Sequence, residues 1–157
     1  MVKKIVLNTS DGSEEVDKRP YMIKTVILSK KRYEELGYIL HPEFSHVYCD
    51  NFHTWISHKD DVVIQRKDIM FEHLHPSMGK SEPDEFYTNA STEEEYVKGS
   101  NIFHNLVKKN FDKKAEEKML KKFISEPNPF KKYISAYVLI LRSPRGLRYY
   151  DPSIRVQ

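Results

Sequence analysis

Apolar positions along this chain fall into short runs separated by polar breaks marked with proline and glycine. KKIVLNT, residues 3–9, predicts a short strand, stopped by the turn signal Ser10-Asp11-Gly12. A polar loop ends at Pro20, and YMIKTVIL (21–28) predicts a second strand. Ser29 then caps a brief helix, KKRYEELG, which Gly37 closes. ILHPEF is a loop through Pro42, and Asp50 stands at the head of a short helix over NFHTWISHK. Val62-Val63-Ile64 and Ile69 to His75 predict two further strands, and SEPDEF (81–86) an irregular stretch.

The second half of the pattern is helical in period. Ser91 with Glu94 reads as a capping box that opens a long helix, with Tyr96, Ile102, Phe103, Leu106 and Val107 as its apolar stripe. Asp112 caps a lysine-rich helix running to about Ser125, where Glu126-Pro127-Asn128-Pro129 breaks it. YISAYVLIL, Tyr133 to Leu141, is continuous and β-branched, and predicts a buried strand. Alternating strands and helices imply an α/β or α+β fold. The strands are few and scattered, as in part of a larger sheet. No internal repeat or low-complexity tract interrupts the pattern.

Composition narrows the class. The chain has 157 residues, long enough for a real hydrophobic core, with 39% hydrophobic and 12% aromatic residues, too rich for disorder. No apolar run approaches the roughly 20 residues of a membrane span, and the apolar run near the start, IVL, is too short for a secretory leader. The single cysteine, Cys49, excludes an internal disulfide framework and a cysteine zinc cage. These features predict a cytoplasmic chain.

The net charge of +3 hides an asymmetry. Residues 108–148 hold 12 Lys and Arg against 4 Asp and Glu, whereas the rest of the chain is acidic on balance. A segment so basic attracts phosphates, nucleic acid or anionic lipid, or is simply a solvated helix face. Asp112, Glu116 and Glu117 dilute its field and no aromatic platform interleaves with residues 112–122, so a specific nucleic-acid complex is not expected.

The candidate chemistry centres on IMFEHLHPSMGK, residues 69–80. On a strand, residues two apart share a face, so His73 and His75 would stand side by side with Leu74 opposite. Such a pair suits metal ligation, a phosphate-facing role, or a polar strand end. Gly79 permits close backbone approach and Lys80 can meet a phosphate, although a lone Gly-Lys is far from a full phosphate-binding loop. Asp50, at a helix N-terminus, is either a cap or a general base. Trp55 is either a sugar-stacking wall or core, and a single Trp on a short helix favours core.

Together, LSKKRYEELGYILHPEF, YCDNF and FEHLHPSMGKSEPDEFY resemble the acceptor-side half of GT-A-fold glycosyltransferases, of the family-two-like, phage-type kind. The positions that carry the resemblance are Ser29, Gly37, Tyr38, Pro42, Phe44, Asp50, Asn51, His73, His75, Pro76, Gly79, Lys80, Asp84 and Tyr87, within roughly residues 11–111. The resemblance implies an incomplete GT-A-like mixed sheet with flanking helices over residues 1–111, lacking the N-terminal nucleotide-binding half and its Asp-x-Asp motif. Residues 112–157 would be a basic helix, strand and tail extension. It implies transfer of a sugar from a nucleotide-sugar donor to an acceptor hydroxyl with inversion, with Asp50 as base. His73 and His75 would be contacts to Mn²⁺ or Mg²⁺, Gly79 and Lys80 contacts to the donor phosphates, and Tyr38, Asn51 and Trp55 acceptor contacts. The expected partners are the sugar acceptor and a separate donor-binding chain. A non-catalytic binding or assembly protein derived from such a half, with a basic surface for an anionic partner, is the alternative.

Overall fold

A computed structural model describes residues 3–13 and 18–140. Among them the fold is mixed α/β, with a small three-stranded sheet and six α-helices. The sheet comprises β1 (Val6–Ser10), β2 (Ile27–Leu28) and β3 (Val63–Met70), in the order β2-β1-β3. β1 runs antiparallel to β2 and parallel to β3. The helices are α1 (Lys30–Leu36), α2 (Cys49–Lys59), α3 (Glu85–Ala90), α4 (Glu93–Asn110), α5 (Lys113–Ser125) and α6 (Pro129–Ile140). None of the described helices is long and apolar enough to cross a membrane. The chain divides into two compact units, Met1–Ser100 and Asn101–Gln157, with the division inside α4.

In the first unit the second predicted strand is mostly not a strand. Only Ile27–Leu28 pairs with β1, while Tyr21, Met22 and Ile23 form a fully buried irregular segment. Buried backbone polar groups need partners, and here side chains of α2 provide them. Thr54 Oγ1 accepts from the Ile23 amide at 3.0 Å, and His58 Nε2 lies 2.9 Å from the Tyr21 carbonyl oxygen. These side chains take the place of ladder partners for the Ile23 amide and the Tyr21 carbonyl. The core of this unit is built from Val6, these three residues, Tyr48, Phe52, Trp55 and Ile56. Two predicted strands, 62–64 and 69–75, are instead the single strand β3, which ends before either histidine.

Caps behave largely as the sequence predicts. Ser29 accepts from the Arg32 amide at the start of α1, which ends at Gly37 in the left-handed region. Asp112 accepts from the Ala115 amide at 2.8 Å to open α5. The capping box of α4 is one residue later than expected: Thr92 Oγ1 accepts from the Glu95 amide, and Ser91 closes α3 instead. Two residues of SEPDEF, Glu85 and Phe86, are already helical, because Asp84 caps α3. α1 is tied down by Arg32, whose buried guanidinium reaches Glu35 at 2.7 Å and Asp60, just past α2, at 2.8 Å.

The second unit overturns the strand expected at Tyr133 to Leu141. Residues through Ile140 are the helix α6, and Leu141 lies outside the described residues. The Glu-Pro-Asn-Pro stretch does end α5, but it also starts a helix. Asn128 Oδ1 accepts from the Lys131 amide at 3.1 Å, and Pro129 takes the first helical position, where its missing N–H costs nothing. α6 packs on α5; Ser135, Tyr137 and Val138 of α6 and Met119 of α5 are buried. A short continuous apolar run does not by itself distinguish a buried helix from a buried strand. On α4, Phe103, Leu106 and Val107 are buried as the stripe predicts, whereas Tyr96 is exposed.

Gly99 of α4 passes close to the segment before α2. A Cβ there would stand 2.9 Å from both the Val47 carbonyl oxygen and the Tyr48 ring. Alanine normally gains up to about 1 kcal/mol over glycine inside a helix, but overpacking against backbone costs about 1–3 kcal/mol. The clash wins because a carbonyl cannot swing aside. Gly99→Ala is expected to lower the urea midpoint by the equivalent of about 1–2 kcal/mol without changing the slope, and an unchanged or raised midpoint would contradict this packing.

Candidate functional site

The carboxyl ends of the parallel pair β1 and β3 lie side by side, and the residues just beyond them build one cluster. β1 leads into Asp11-Gly12-Ser13. Asp11 Oδ1 accepts from the Ser13 amide at 3.0 Å and from the Ser13 hydroxyl at 2.5 Å, which closes a tight turn. Gly12 sits there at φ 81°, a backbone state that favours glycine. Lys24 hydrogen-bonds Ser13 and lies 3.6 Å from Asp11 Oδ2. Burial alone would raise the Asp11 pKa, but the Ser13 hydrogen bonds and the Lys24 charge outweigh it and hold the carboxyl below its ordinary range.

Beyond β3 the chain stays hydrogen-bonded to this turn. The Phe71 amide donates to Ser10 O at 2.9 Å and the His73 amide to Asp11 O at 3.1 Å. His73 and His75 are therefore neighbours as expected, with ring centroids 5.0 Å apart and edge-to-face, although they stand on an irregular segment and not on a strand. His75 caps a single 3₁₀ turn, Pro76–Met78, by accepting from the Ser77 amide. On its other side its ring meets Tyr87 of α3 at 5.2 Å. Burial, then the charges of His73 and His46, hold His75 below its ordinary pKa, with Asp11 pulling the other way. His46 in turn packs edge-on against Phe86 at 5.5 Å.

The remaining predicted residues divide. Gly79 closes the 3₁₀ turn, and Lys80 reaches Glu72 at 2.7 Å and lies beside Gly12, so the Gly-Lys loop folds over the Asp11 turn. Asp50 is not the cap of α2. That position is Tyr48, in the left-handed region, and Asp50 lies in the first turn, half-buried, where its carboxylate accepts from the Asn51 amide. Tyr38 contacts His41 edge-on at 4.8 Å, and His41 contacts Phe52 at 5.4 Å. Trp55 is fully buried and stacks on Phe52, so it is core and presents no face to a sugar. Pattern reading misses Asp11, Lys24 and His46. Only the Asp-Gly turn after a strand signals the first of them.

Among the described residues, no group of three or more His, Cys, Asp or Glu is gathered closely enough to hold a metal ion. His73 and His75 provide two imidazoles, and a Mn²⁺ or Mg²⁺ favours mostly oxygen ligands. The described residues do not by themselves gather a site for such a metal. They make a cluster of imidazoles and a phenol beside a balanced carboxylate and ammonium, suited to hydrogen-bonding a polar ligand. Comparison with protein-family models, with curated proteins and with solved structures finds no match.

A second polar group lies inside the core, on α2. His53 is 2% exposed, and neither ring nitrogen has a hydrogen-bond partner among the described residues. Burial first, then the charges of Arg32 and His58, lower its pKa to about 4. The unfolded chain takes up this proton near pH 6.5, so the folded state binds fewer protons between the two values. Stability is therefore full above about pH 6.5 and falls as pH drops toward 4, by up to about 3 kcal/mol. His53→Leu is expected to flatten this part of the profile in urea melts between neutral pH and pH 4.5, and a variant that keeps the full slope would assign it elsewhere.

Proposed function

We propose that this chain is the acceptor-side half of a GT-A-type glycosyltransferase. It would bind the acceptor whose hydroxyl receives a sugar from a nucleotide-sugar donor held by a separate chain or segment. The observation that carries the reading is the convergence of His46, His73, His75 and Tyr87 with the Asp11 turn at the carboxyl ends of adjacent parallel strands. Open α/β sheets bind their ligands at that edge. Three residues that carry the family resemblance, His73, His75 and Tyr87, are among those that meet there.

In this reading the acceptor oxygen attacks the anomeric carbon from the side opposite the leaving group. Its proton passes to the Asp50 carboxylate. The carbon–oxygen bond to the diphosphate breaks, the nucleoside diphosphate leaves with the electron pair, and the anomeric configuration inverts. His46, four residues before Asp50 in the chain, packs edge-on against Phe86, the neighbour of Tyr87 on α3. Burial and its imidazole neighbours push His75 toward its neutral form, which both donates and accepts hydrogen bonds, as hydroxyl recognition requires. No step is assigned to a metal. The alternative is a non-catalytic binding protein that kept this half-fold. It is favoured by Asp50 itself, whose carboxylate is already engaged by the Asn51 amide, and it predicts acceptor binding without transfer.

Binding to the two substrates should separate. Titrating the ¹⁵N-labelled chain with a panel of mono- and disaccharides is expected to shift resonances of His46, Asp50, Asn51 and Tyr87, and silence across the panel would overturn the reading. Calorimetry with a nucleoside diphosphate and Mn²⁺ is expected to give a Kd weaker than about 0.1 mM. Micromolar affinity would mean that this chain builds a donor site of its own.

A further inference from the structure

We propose that the tip of the α5–α6 hairpin docks on an anionic lipid surface. Residues 121–133 read KKFISEPNPFKKY, two lysine pairs bracketing an apolar, proline-marked turn. α5 and α6 are consecutive, packed together, and joined only through Glu126, Pro127 and Asn128. The last turn of α5 and the first turn of α6 therefore share one end of the hairpin. That end exposes Ile124 at 68%, Phe130 at 36% and Tyr133 at 40%. Leu120, one helical turn before Ile124, is exposed as well.

Scattered exposed apolar residues need no explanation, but these are gathered at one end of a helix pair and framed by Lys121, Lys122, Lys131 and Lys132. Lys132 lies over the Phe123 ring at 5.2 Å. The one acid in the stretch, Glu126, is turned into the connection, where its Oε1 accepts from the Asn128 amide at 3.0 Å. The tip thus presents aliphatic and aromatic side chains in the middle and ammonium groups around them. A membrane interface has the complementary layering: an acyl boundary that takes apolar side chains, beneath phosphates and carboxylates that take lysines. Nucleic acid offers phosphates and stacking bases, but it has no use for an exposed isoleucine. Charge and apolarity together favour the lipid surface.

The test is flotation of the whole chain with vesicles, beside retention on a heparin column. Vesicles of phosphatidylcholine with about 30 mol% phosphatidylserine are expected to carry the chain, and phosphatidylcholine alone is not. Added salt should weaken the association, and each of these lysines removed should lower it by about fivefold. Ile124→Ser with Phe130→Ser is expected to lower vesicle binding about tenfold or more and leave heparin retention unchanged, because only lipid rewards apolar insertion. Changing the four lysines to glutamine should weaken both. These residues are on the surface, and unchanged far-ultraviolet circular dichroism checks that the variants fold. No flotation with anionic vesicles at low salt would overturn the proposal. So would flotation that is indifferent to the Ile124 and Phe130 substitutions, an outcome that reassigns the surface to polyanions in general.

Discussion

The first unit depends on a helix with no outer face. From Phe52 to His58 every residue of α2 is buried, polar ones included. Enclosing a helix this way is tolerable only if the polar groups around it are paired, since each buried orphan costs about 1–3 kcal/mol. α2 meets that demand by lending groups to its neighbours. Thr54 serves the Ile23 amide, His58 the Tyr21 carbonyl, and the Ser57 carbonyl receives the Val62 amide just before β3. These bonds position the buried segment 21–23 and the start of β3 together. The cost appears at the His53 ring and the Ser57 hydroxyl, which have no hydrogen-bond partner among the described residues, and His53 stays buried by favouring its neutral form.

From that start, β3 reaches the site through an irregularity. Thr9 pairs with Arg66, but the next residue, Ser10, pairs with Met70, so Lys67, Asp68 and Ile69 bulge out of register. The bulge is stitched shut locally. Lys67 Nζ donates to the Thr9 carbonyl at 2.9 Å, and Arg66 holds Asp68 through two parallel hydrogen bonds of 2.8 and 2.7 Å. A bulge re-aims the strand beyond it. Here the chain past Met70 continues along Ser10 and Asp11, which delivers His73 and His75 to the Asp11 turn.

How much of this is legible in the sequence depends on where each signal resides. Caps are local, so Ser29, Gly37 and Asp112 are readable, and the α4 box is displaced by one residue because Ser91 and Thr92 are both good caps. The YMIKTVIL strand and the Tyr133 strand fail for a shared reason. Both are apolar runs whose form is decided by what pairs with their backbone, and that is a tertiary fact. The two histidines do stand side by side, but through a bulge and a ladder-like continuation that no local pattern encodes. Trp55 can be assigned to the core on frequency alone. Asp11, Lys24 and His46 escape the pattern because they come from three separate segments, and only the fold unites them.

The charge balance of the cluster, among the described residues, bears on the kind of ligand it would take in the proposed reading. Among the described residues its acid, Asp11, is offset by Lys24, and its outlying lysine, Lys80, is offset by Glu72. His75 is pushed toward its neutral form by burial and by its imidazole neighbours. A pocket for a diphosphate would leave cations uncompensated, because a doubly charged ligand must be offset when it loses water. A pocket for hydroxyls needs the reverse: groups that donate and accept without net charge, near an aromatic edge such as Tyr87. The cluster meets the second description. For that reason the cluster falls on the acceptor side in the reading proposed above, and the donor's phosphates are left to another site.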